Sequence, residues 1–243
     1  MKYYTKEWYH LMNSLNLAVD MQAVPDKEYT DAEIKEFYDQ DMAAHVENNT
    51  RFFALMKQSF DLADLVKSFE DAYKEKCLHG LDRYPAWVRE TVDRRLAALG
   101  RLPESVFRRL EAEDDANREK FRLINDTARE ILDEQDIPDE AQFDFWMFES
   151  DVLKLEKVGE DAELYLRKGD GPVETALHVK VHFSQAEVIE QEEGLFGEGC
   201  KYLYEEVYRM EDGYEVHMML GTSEGPAYLT IRCRDIWFEE CTC

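Results

Sequence analysis

Basic residues are scarce in this sequence. Lys and Arg together number 29 against 54 Asp and Glu, which gives a formal net charge of -25 over 243 residues. A surface this negative repels phosphate groups, so we expect neither nucleic acid nor an anionic membrane as a partner. A basic protein is the class of partner that the charge favours.

Long apolar runs are also missing. The opening segment is interrupted by Lys6, Glu7 and His10, which excludes the continuous apolar core of a secretory signal. No later stretch approaches the roughly 20 apolar residues that a membrane-spanning helix needs. We therefore expect a soluble, cytoplasmic protein.

Cysteine is sparse and odd in number, with Cys77, Cys200, Cys233, Cys241 and Cys243 scattered along the chain. This pattern is typical of reduced thiols in a cytosol and not of a disulfide framework. Cys241 and Cys243 would need further ligands nearby to hold a metal ion, so we interpret them as a reduced tail.

Recognisable catalytic motifs are absent. The sequence contains no G-x-S-x-G and no H-E-x-x-H, and the glycine-rich segment 194–199 lacks the Lys-Ser or Lys-Thr of a phosphate loop. The spacing Glu-x-x-His of di-metal bundles occurs once, at Glu7 and His10, where such a site requires it twice. His178 and His182 would lie about 13 Å apart on a strand, too far to share one ion, and we expect them to face solvent. We predict no metal site and no cofactor.

The spacing of apolar residues changes near Gln142, from helical before it to alternating after it. This change predicts an α+β protein in two parts. A helical, bundle-like region is expected over residues 1–141, and an antiparallel β domain, either a sheet or a partly closed barrel, over residues 142–243.

Local signals predict where the helices begin and end. Thr5 and Asp61 are N-cap residues, and Thr30 with Glu33 forms a capping box. Gly80 is expected to end the helix that Asp61 caps. A single helix is expected from Pro85 to Leu99, ended by Gly100, and a longer one between Pro103 and Pro138.

Alternation and turn residues predict six strands. They are expected near residues 152–157, 162–167, 175–183, 201–209, 214–220 and 228–238, with turns at 169–172, 212–213 and 225–226. If Asp212 and Gly213 form a two-residue loop, Val207 faces Met218 across the hairpin.

That hairpin gives the candidate site. One face carries Leu203, Val207, Val216, Met218 and Leu220, and the other carries Tyr202, Tyr204, Glu206, Tyr208, Glu215, His217 and Met219. Within the second face, Tyr204, Glu206, Tyr208, Glu215 and His217 are the candidate ligand-binding or partner-binding residues, because a surface half aromatic and half ionisable seldom remains in bulk water. It could dock another part of the chain, bind a partner or line a pocket, and docking within the chain is the default expectation.

Residues 83–109 depart from the acidic trend, with seven arginines against three acids. Because an arginine fork binds a carboxylate through two hydrogen bonds, this segment either clamps the acidic strand domain or receives an external acidic ligand. We favour the internal clamp.

The first nine residues, Met-Lys-Tyr-Tyr-Thr-Lys-Glu-Trp-Tyr, resemble the start of an uncharacterised bacterial family, a domain of unknown function with a similar KYxTKEWY-type N-terminus. The resemblance implies a bacterial, cytoplasmic protein. It carries no catalytic residue that can be transferred to this chain.

Function is therefore predicted only as a class. The ionisable residues lack the mutual spacing of general acid-base or nucleophilic sites, which favours a non-catalytic binding or interaction protein, for example an acidic inhibitor or immunity-type protein. The alternative is an enzyme or small-ligand sensor with a pocket near Tyr204, Tyr208 and His217, in which His217 is the acid-base group.

Overall fold

A computed structural model describes residues 1–135, 137, 147–168 and 177–241. Within these ranges it contains six helices and a large antiparallel sheet, so the predicted α+β class is confirmed. The helices are α1 (Lys6–Asn13), α2 (Asp31–Met56), α3 (Leu62–His79), α4 (Ala86–Thr91), α5 (Arg94–Ala98) and α6 (Glu104–Asp133).

The helix ends follow the local signals closely. Thr30 accepts the backbone N–H of Glu33, whose carboxylate accepts the Thr30 backbone N–H, so the predicted capping box at the start of α2 is confirmed. Asp61 caps α3, and Gly80 ends it. The single helix predicted from Pro85 to Leu99 is wrong, because the chain becomes extended at Val92 before α5 begins.

Ten strands occur in the described residues. They are β1 (Gln22–Val24), β2 (Arg101–Pro103), β3 (Asp151–Val158), β4 (Asp161–Lys168), β5 (Leu177–Phe183), β6 (Glu187–Gln191), β7 (Lys201–Met210), β8 (Gly213–Thr222), β9 (Gly225–Cys233) and β10 (Ile236–Cys241). β1 and β2 form a short parallel pair. The other eight form one sheet in the order β10-β5-β4-β3-β7-β8-β9-β6.

The sheet is not closed into a barrel, which decides between the two shapes that the sequence left open. β3 and β7 pair at Asp151 and Lys201 in the middle of the sheet, and backbone hydrogen bonds from Val152 to Cys200 and from Tyr202 to Ser150 extend the junction. Side chains from both halves contribute to one apolar core, among them Leu164 on β4, Val181 on β5 and Met218 on β8. This core is the alternating apolar face that the sequence predicted.

Three expectations about the strands are wrong. β6 was not predicted, and the strand expected over 228–238 is divided into β9 and β10. Val207 pairs with Val216 and not with Met218, because the two-residue loop consists of Glu211 and Asp212 and Gly213 already belongs to β8. The register moves by two residues, which leaves Val207 on its predicted face.

A β-bulge also changes one side-chain assignment. The β7–β8 register shifts between Tyr202 and Tyr204, so Tyr202 points into the sheet core with Leu220 and does not share the face of Tyr204. His178 is buried, not solvent-facing, because β5 lies inside the sheet between β4 and β10.

The chain divides into two compact units, one made of Met1–Asn13 with Lys120–Cys243 and the other of Ser14–Glu119. α1 and the end of α6 therefore belong to the same unit as the sheet. The second unit has its own core, which includes Leu17, Leu81 and Val88. Within this unit four arginines of residues 83–109 pair with carboxylates, namely Arg95, Arg101, Arg108 and Arg109. Whether the segment also clamps the strand domain stays a prediction.

No helix among the described residues is both long and apolar enough to span a bilayer. The turn predicted at 169–172, the stop at Pro138, the domain boundary at 141–142 and Cys243 lie outside the described residues.

Candidate functional site

The candidate face of the β7–β8 hairpin is covered by the N-terminal segment of the same chain. The carboxylate of Glu206, only 1% exposed, accepts backbone N–H groups from Lys2 at 2.7 Å, Tyr3 at 2.8 Å and Tyr4 at 2.6 Å. The hydroxyl of Tyr208 donates a fourth hydrogen bond to it at 2.7 Å. Four donors satisfy this buried carboxylate, as a desolvated charge requires.

His217 and Glu215 occupy the neighbouring part of the face. His217 Nε2 lies 2.9 Å from Glu215 Oε1, and Glu215 also pairs with Arg232 at 2.6 Å. The Met1 amino group lies 3.2 Å from His217 Nδ1. Desolvation, followed by the positive Met1 amino group, lowers the pKa of His217 below its ordinary value of 6.5, which favours the neutral imidazole.

Burial and charge also change the acidity of nearby groups. Desolvation first, then the hydrogen bond to Glu206, raises the pKa of Tyr208 far above its ordinary value. The hydrogen bond from Arg232 lowers the pKa of Glu215. Tyr208 therefore stays a neutral hydrogen-bond donor, and Glu206 accepts four hydrogen bonds within the described contacts.

An aromatic cluster continues the covered face beyond Tyr204. Trp8 on α1 packs against Tyr204 with ring centroids 4.7 Å apart, against Tyr4 at 4.8 Å and against Phe121 at 5.4 Å. Phe148 lies 5.2 Å from Tyr204. Trp8 Nε1 donates to Asn125 Oδ1 at 3.0 Å, so the buried indole is satisfied while its rings anchor α1.

Local sequence explains how α1 reaches this position. Thr5 Oγ1 accepts the backbone N–H of Trp8, which begins the helix with Trp8 on its buried side. Lys6 links the first turn of α1 to the sheet. Its ammonium group pairs with Glu192 at 2.6 Å, and its backbone N–H donates to the Tyr228 hydroxyl.

A cavity of about 380 Å³ lies within this aromatic cluster. It is lined by Tyr4, Trp8, Met12, Phe121, Asn125, Arg129, Phe148, Tyr202, Leu203, Tyr204 and Glu205. Desolvation raises the pKa of Tyr204 to about 12, so its hydroxyl is a hydrogen-bond donor at neutral pH. The volume of the cavity and its lining of aromatic rings with a few polar groups are typical of small-molecule sites.

One helix face supplies the polar end of this cavity. Phe121, Asn125 and Arg129 follow each other at four-residue spacing on α6, which places their side chains on one side of the helix. Arg129 makes no hydrogen bond and no ion pair within the described parts of the chain. Glu205, also at the cavity, already accepts the Tyr202 hydroxyl at 2.6 Å.

The five residues predicted from sequence therefore separate into two groups. Tyr204 lines the cavity, whereas Glu206, Tyr208, Glu215 and His217 contact the N-terminal segment or support it. Sequence reasoning missed Trp8, Asn125 and Arg129 as cavity residues. The spacing of Phe121, Asn125 and Arg129 was the signal available for α6, but nothing local indicated which strand α6 would face.

The other residues considered in the sequence as metal ligands or as a phosphate-binding loop do not come together in a site within the described residues. Among the described residues, no group of three or more His, Cys, Asp or Glu side chains is placed to hold a metal ion. His182 lies between the carboxylates of Glu163 and Glu239 and stacks on Trp237. The segment 194–199 connects β6 to β7 as a loop, as predicted.

Comparison with protein-family models, curated proteins and solved structures gives no match for this chain. The resemblance of its first nine residues therefore stays an expectation.

Proposed function

We propose that this protein is a non-catalytic binding protein that holds a small aromatic molecule bearing an oxyanion group in the cavity beside Tyr204. The observation that carries the proposal is the guanidinium of Arg129, which has no hydrogen-bond or ion-pair partner among the described residues and lies beside a cavity lined by five aromatic rings outside the sheet core. Rings favour a flat apolar ligand, and a guanidinium favours a carboxylate or similar group with two parallel acceptors.

The arrangement supports binding more than chemistry. The imidazole of His217, the only histidine among the five predicted site residues, does not line the cavity but lies against Met1 and Glu215. The ionised groups nearest the cavity are Arg129 and Glu205, and Glu205 is engaged by Tyr202. A general acid or base must reach the group that it protonates or deprotonates, and the imidazole of His217 does not face the cavity.

The test uses fluorescent and charged probes. Anilinonaphthalene sulfonate is the anionic probe, N-phenylnaphthylamine the neutral one and benzyltrimethylammonium the cationic one, with binding followed through probe fluorescence or quenching of Trp8. We expect Arg129→Gln to weaken binding of the anionic probe about tenfold while leaving the neutral probe unchanged. Arg122→Gln is the matched control, since Arg122 lies on the same helix and pairs with Asp126.

Other results would contradict the proposal. Equal binding of the anionic probe to the wild-type protein and to Arg129→Gln would remove the role of Arg129. Tighter binding of the cationic probe would assign the cavity to an ammonium ligand held by the rings. Conversion of a probe to product would overturn the non-catalytic assignment.

The acidic surface favours a second candidate, an inhibitor or immunity-type protein with a basic partner. Every residue of edge strand β6 is exposed, and its Glu187 and Glu190 flank the apolar Val188 and Ile189. An exposed acidic edge strand suits pairing with a basic strand of another protein. We expect Glu187→Lys to abolish low-salt binding of such a partner, whereas Glu36→Lys, an equal change of charge on α2, retains it.

We also propose a cytoplasmic location. Cys77, Cys200 and Cys233 are free thiols in the described parts of the chain, which supports a reducing environment. Alkylation of the denatured protein with iodoacetamide in the absence of reductant, followed by mass spectrometry, tests this proposal: a pair of unmodified cysteines would reveal a disulfide and contradict it.

A further inference from the structure

The end of the hairpin formed by α2 and α3 exposes an unusual concentration of apolar side chains. Within residues 47–67, here called the hairpin tip, exposed fractions are 54% for Phe52, 82% for Leu55, 55% for Met56, 38% for Phe60 and 54% for Leu62. Phe52, Leu55 and Met56 are three and four residues apart on one helix, so they form a continuous surface. Scattered exposed residues are ordinary, but a cluster of five in eleven residues indicates an interface.

The two helices bury little within one copy of the chain. Ile34 is the one buried residue described on the 26-residue α2, and Leu65, still 9% exposed, is the one described on the 18-residue α3. The rings where the two helices meet are only half-buried, such as Tyr38 against Phe69 at 5.3 Å and against Tyr73 at 4.9 Å. A pair of helices in a single layer gains most of its stability from a further layer that covers its open side.

The hairpin tip is also electrically neutral in a strongly acidic protein. It contains three acids, Glu47, Asp61 and Asp64, and three bases, Arg51, Lys57 and Lys67, against 54 acids and 29 bases overall. Two copies that each carry a net charge of -25 repel one another over most of their surfaces. A neutral apolar patch is where two such copies can approach closely.

Unpaired charges of both signs lie within the tip. The side chains of Lys57, Lys67 and Asp64 form no ion pair in the described parts of the chain. A symmetric interface places the same patch on both copies, so each lysine of one copy can meet an acid of the other. A patch of this kind is complementary to itself, whereas a strongly basic partner would be complementary to the acidic remainder of the surface.

We propose that the hairpin tip is the interface of a homodimer, in which α2 and α3 of two copies pack together as a four-helix arrangement. The five exposed side chains present on the order of 500 Å² of apolar surface, which with the polar rim approaches the roughly 800 Å² per partner of a stable interface. An open depression on α3, lined by Leu62, Ala63, Val66 and neighbouring charged residues, lies within reach of a protruding side chain such as Leu55 of the second copy. This inference concerns the helical unit and is independent of the ligand proposed for the aromatic cavity.

The experiment measures the mass of the full chain in solution by sedimentation equilibrium over a range of concentrations. We expect the wild-type protein to be a dimer and Leu55→Glu to weaken dimerisation at least tenfold, because the substitution places a charge in the centre of the interface. Leu78→Glu is the matched control, since Leu78 is also an exposed leucine of this helix pair, 61% exposed, but lies at the far end of α3. Circular dichroism establishes that both variants are folded.

A charge exchange provides a second test that does not depend on Leu55. Lys67→Glu and Asp64→Lys should each weaken self-association, and mixing the two variants should restore dimers. A monomeric wild-type protein, or a dimer that Leu55→Glu leaves intact, would overturn the proposal. Sedimentation with phosphatidylcholine or phosphatidylglycerol vesicles that is lost in Leu55→Glu would assign the tip to a membrane and overturn it equally.

Discussion

The backbone N–H of Tyr4 donates to the carboxylate of Glu206 over 2.6 Å, although 202 residues separate the two in sequence. Lys2 and Tyr3 donate to the same carboxylate, so one buried acid fixes the course of the N-terminal segment. The segment in turn positions Trp8, which forms a wall of the aromatic cavity. The proposed ligand site thus depends on a hydrogen-bonded carboxylate that does not touch the ligand.

Replacement of this carboxylate should loosen the segment. Glu206→Gln substitutes an N–H donor for one acceptor and leaves buried backbone N–H groups without a partner, so we expect the free energy of unfolding to fall by about 1–3 kcal/mol. Urea unfolding followed by circular dichroism measures the loss. Glu224→Gln, the same change at an exposed turn residue, should leave stability unchanged, and equal stability of both variants would contradict the role of Glu206.

Stability should depend on the protonation of His217. Burial and the Met1 amino group hold the pKa of His217 in the folded protein below its ordinary value of 6.5, which applies to the unfolded chain. At a pH between the folded and the unfolded pKa, the unfolded chain therefore binds more protons than the folded one. The stability contributed by neutral His217 is therefore complete above its unfolded pKa and is lost as pH falls through that pKa toward the folded value.

The measurement compares unfolding free energies at about pH 7.5 and about pH 5.5. We expect His217→Gln to reduce the loss of stability on acidification, whereas His10→Gln, at an exposed histidine, retains it. An identical pH dependence in wild-type protein and His217→Gln would show that this imidazole does not titrate as described.

The Arg101 guanidinium should contribute more than the exposed arginines near it. Arg101, 9% exposed, binds both carboxylate oxygens of Asp41 and the carbonyl of Leu99, and it lies over the ring of Phe37. Because lysine cannot reproduce this fork, we expect Arg101→Lys to cost about 1–2 kcal/mol in thermal or urea unfolding. Arg108→Lys, on the exposed face of α6, should change little. Equal effects of the two substitutions would show that burial of the fork is unimportant.

Alanine substitutions at two glycines of the hairpin turns, Gly213 and Gly225, distinguish the cost of backbone strain from that of a steric clash. Gly213 has φ +136°, and an added Cβ would lie 2.1 Å from the carbonyl oxygen of Cys233. Gly225 has φ +120° but open space around it. We expect Gly213→Ala to cost more than about 2 kcal/mol and Gly225→Ala about 1 kcal/mol, measured by thermal unfolding. A smaller loss at Gly213 than at Gly225 would contradict this account.

Much of the fold follows from neighbouring residues. Thr30 with Glu33 and Asp61 mark helix starts in the sequence because a side-chain oxygen satisfies an amide only two or three residues away. The alternation of Val179, Val181 and Phe183 likewise gives the buried face of β5 without knowledge of its partners. The predicted register of the β7–β8 hairpin is wrong by two residues. The register depends on which two residues form the loop, and Gly213 fits either the loop or the first position of β8.

The candidate site could be predicted from the sequence only in part. The face carrying Tyr204, Glu206, Tyr208, Glu215 and His217 was recognised from alternation, with docking within the chain as the default expectation. The sequence does not indicate which segment covers this face, because the N–H groups of residues 2–4 that bind Glu206 are backbone groups, which every sequence possesses. Strand β6 was missed for a related reason: all five of its residues are exposed, so it lacks an alternating apolar signal.

By itself, the sequence determined the α+β class, the positions of most helices and strands, and the acidic character of the surface, since these depend on spacing and composition. Only the tertiary structure decided that the N-terminal segment satisfies Glu206, that Arg129 stands beside a ring-lined cavity, and that the tip of α2 and α3 stays uncovered. These three relationships join residues far apart in the chain, where the entropy of closing long loops is offset by burial that no local pattern encodes.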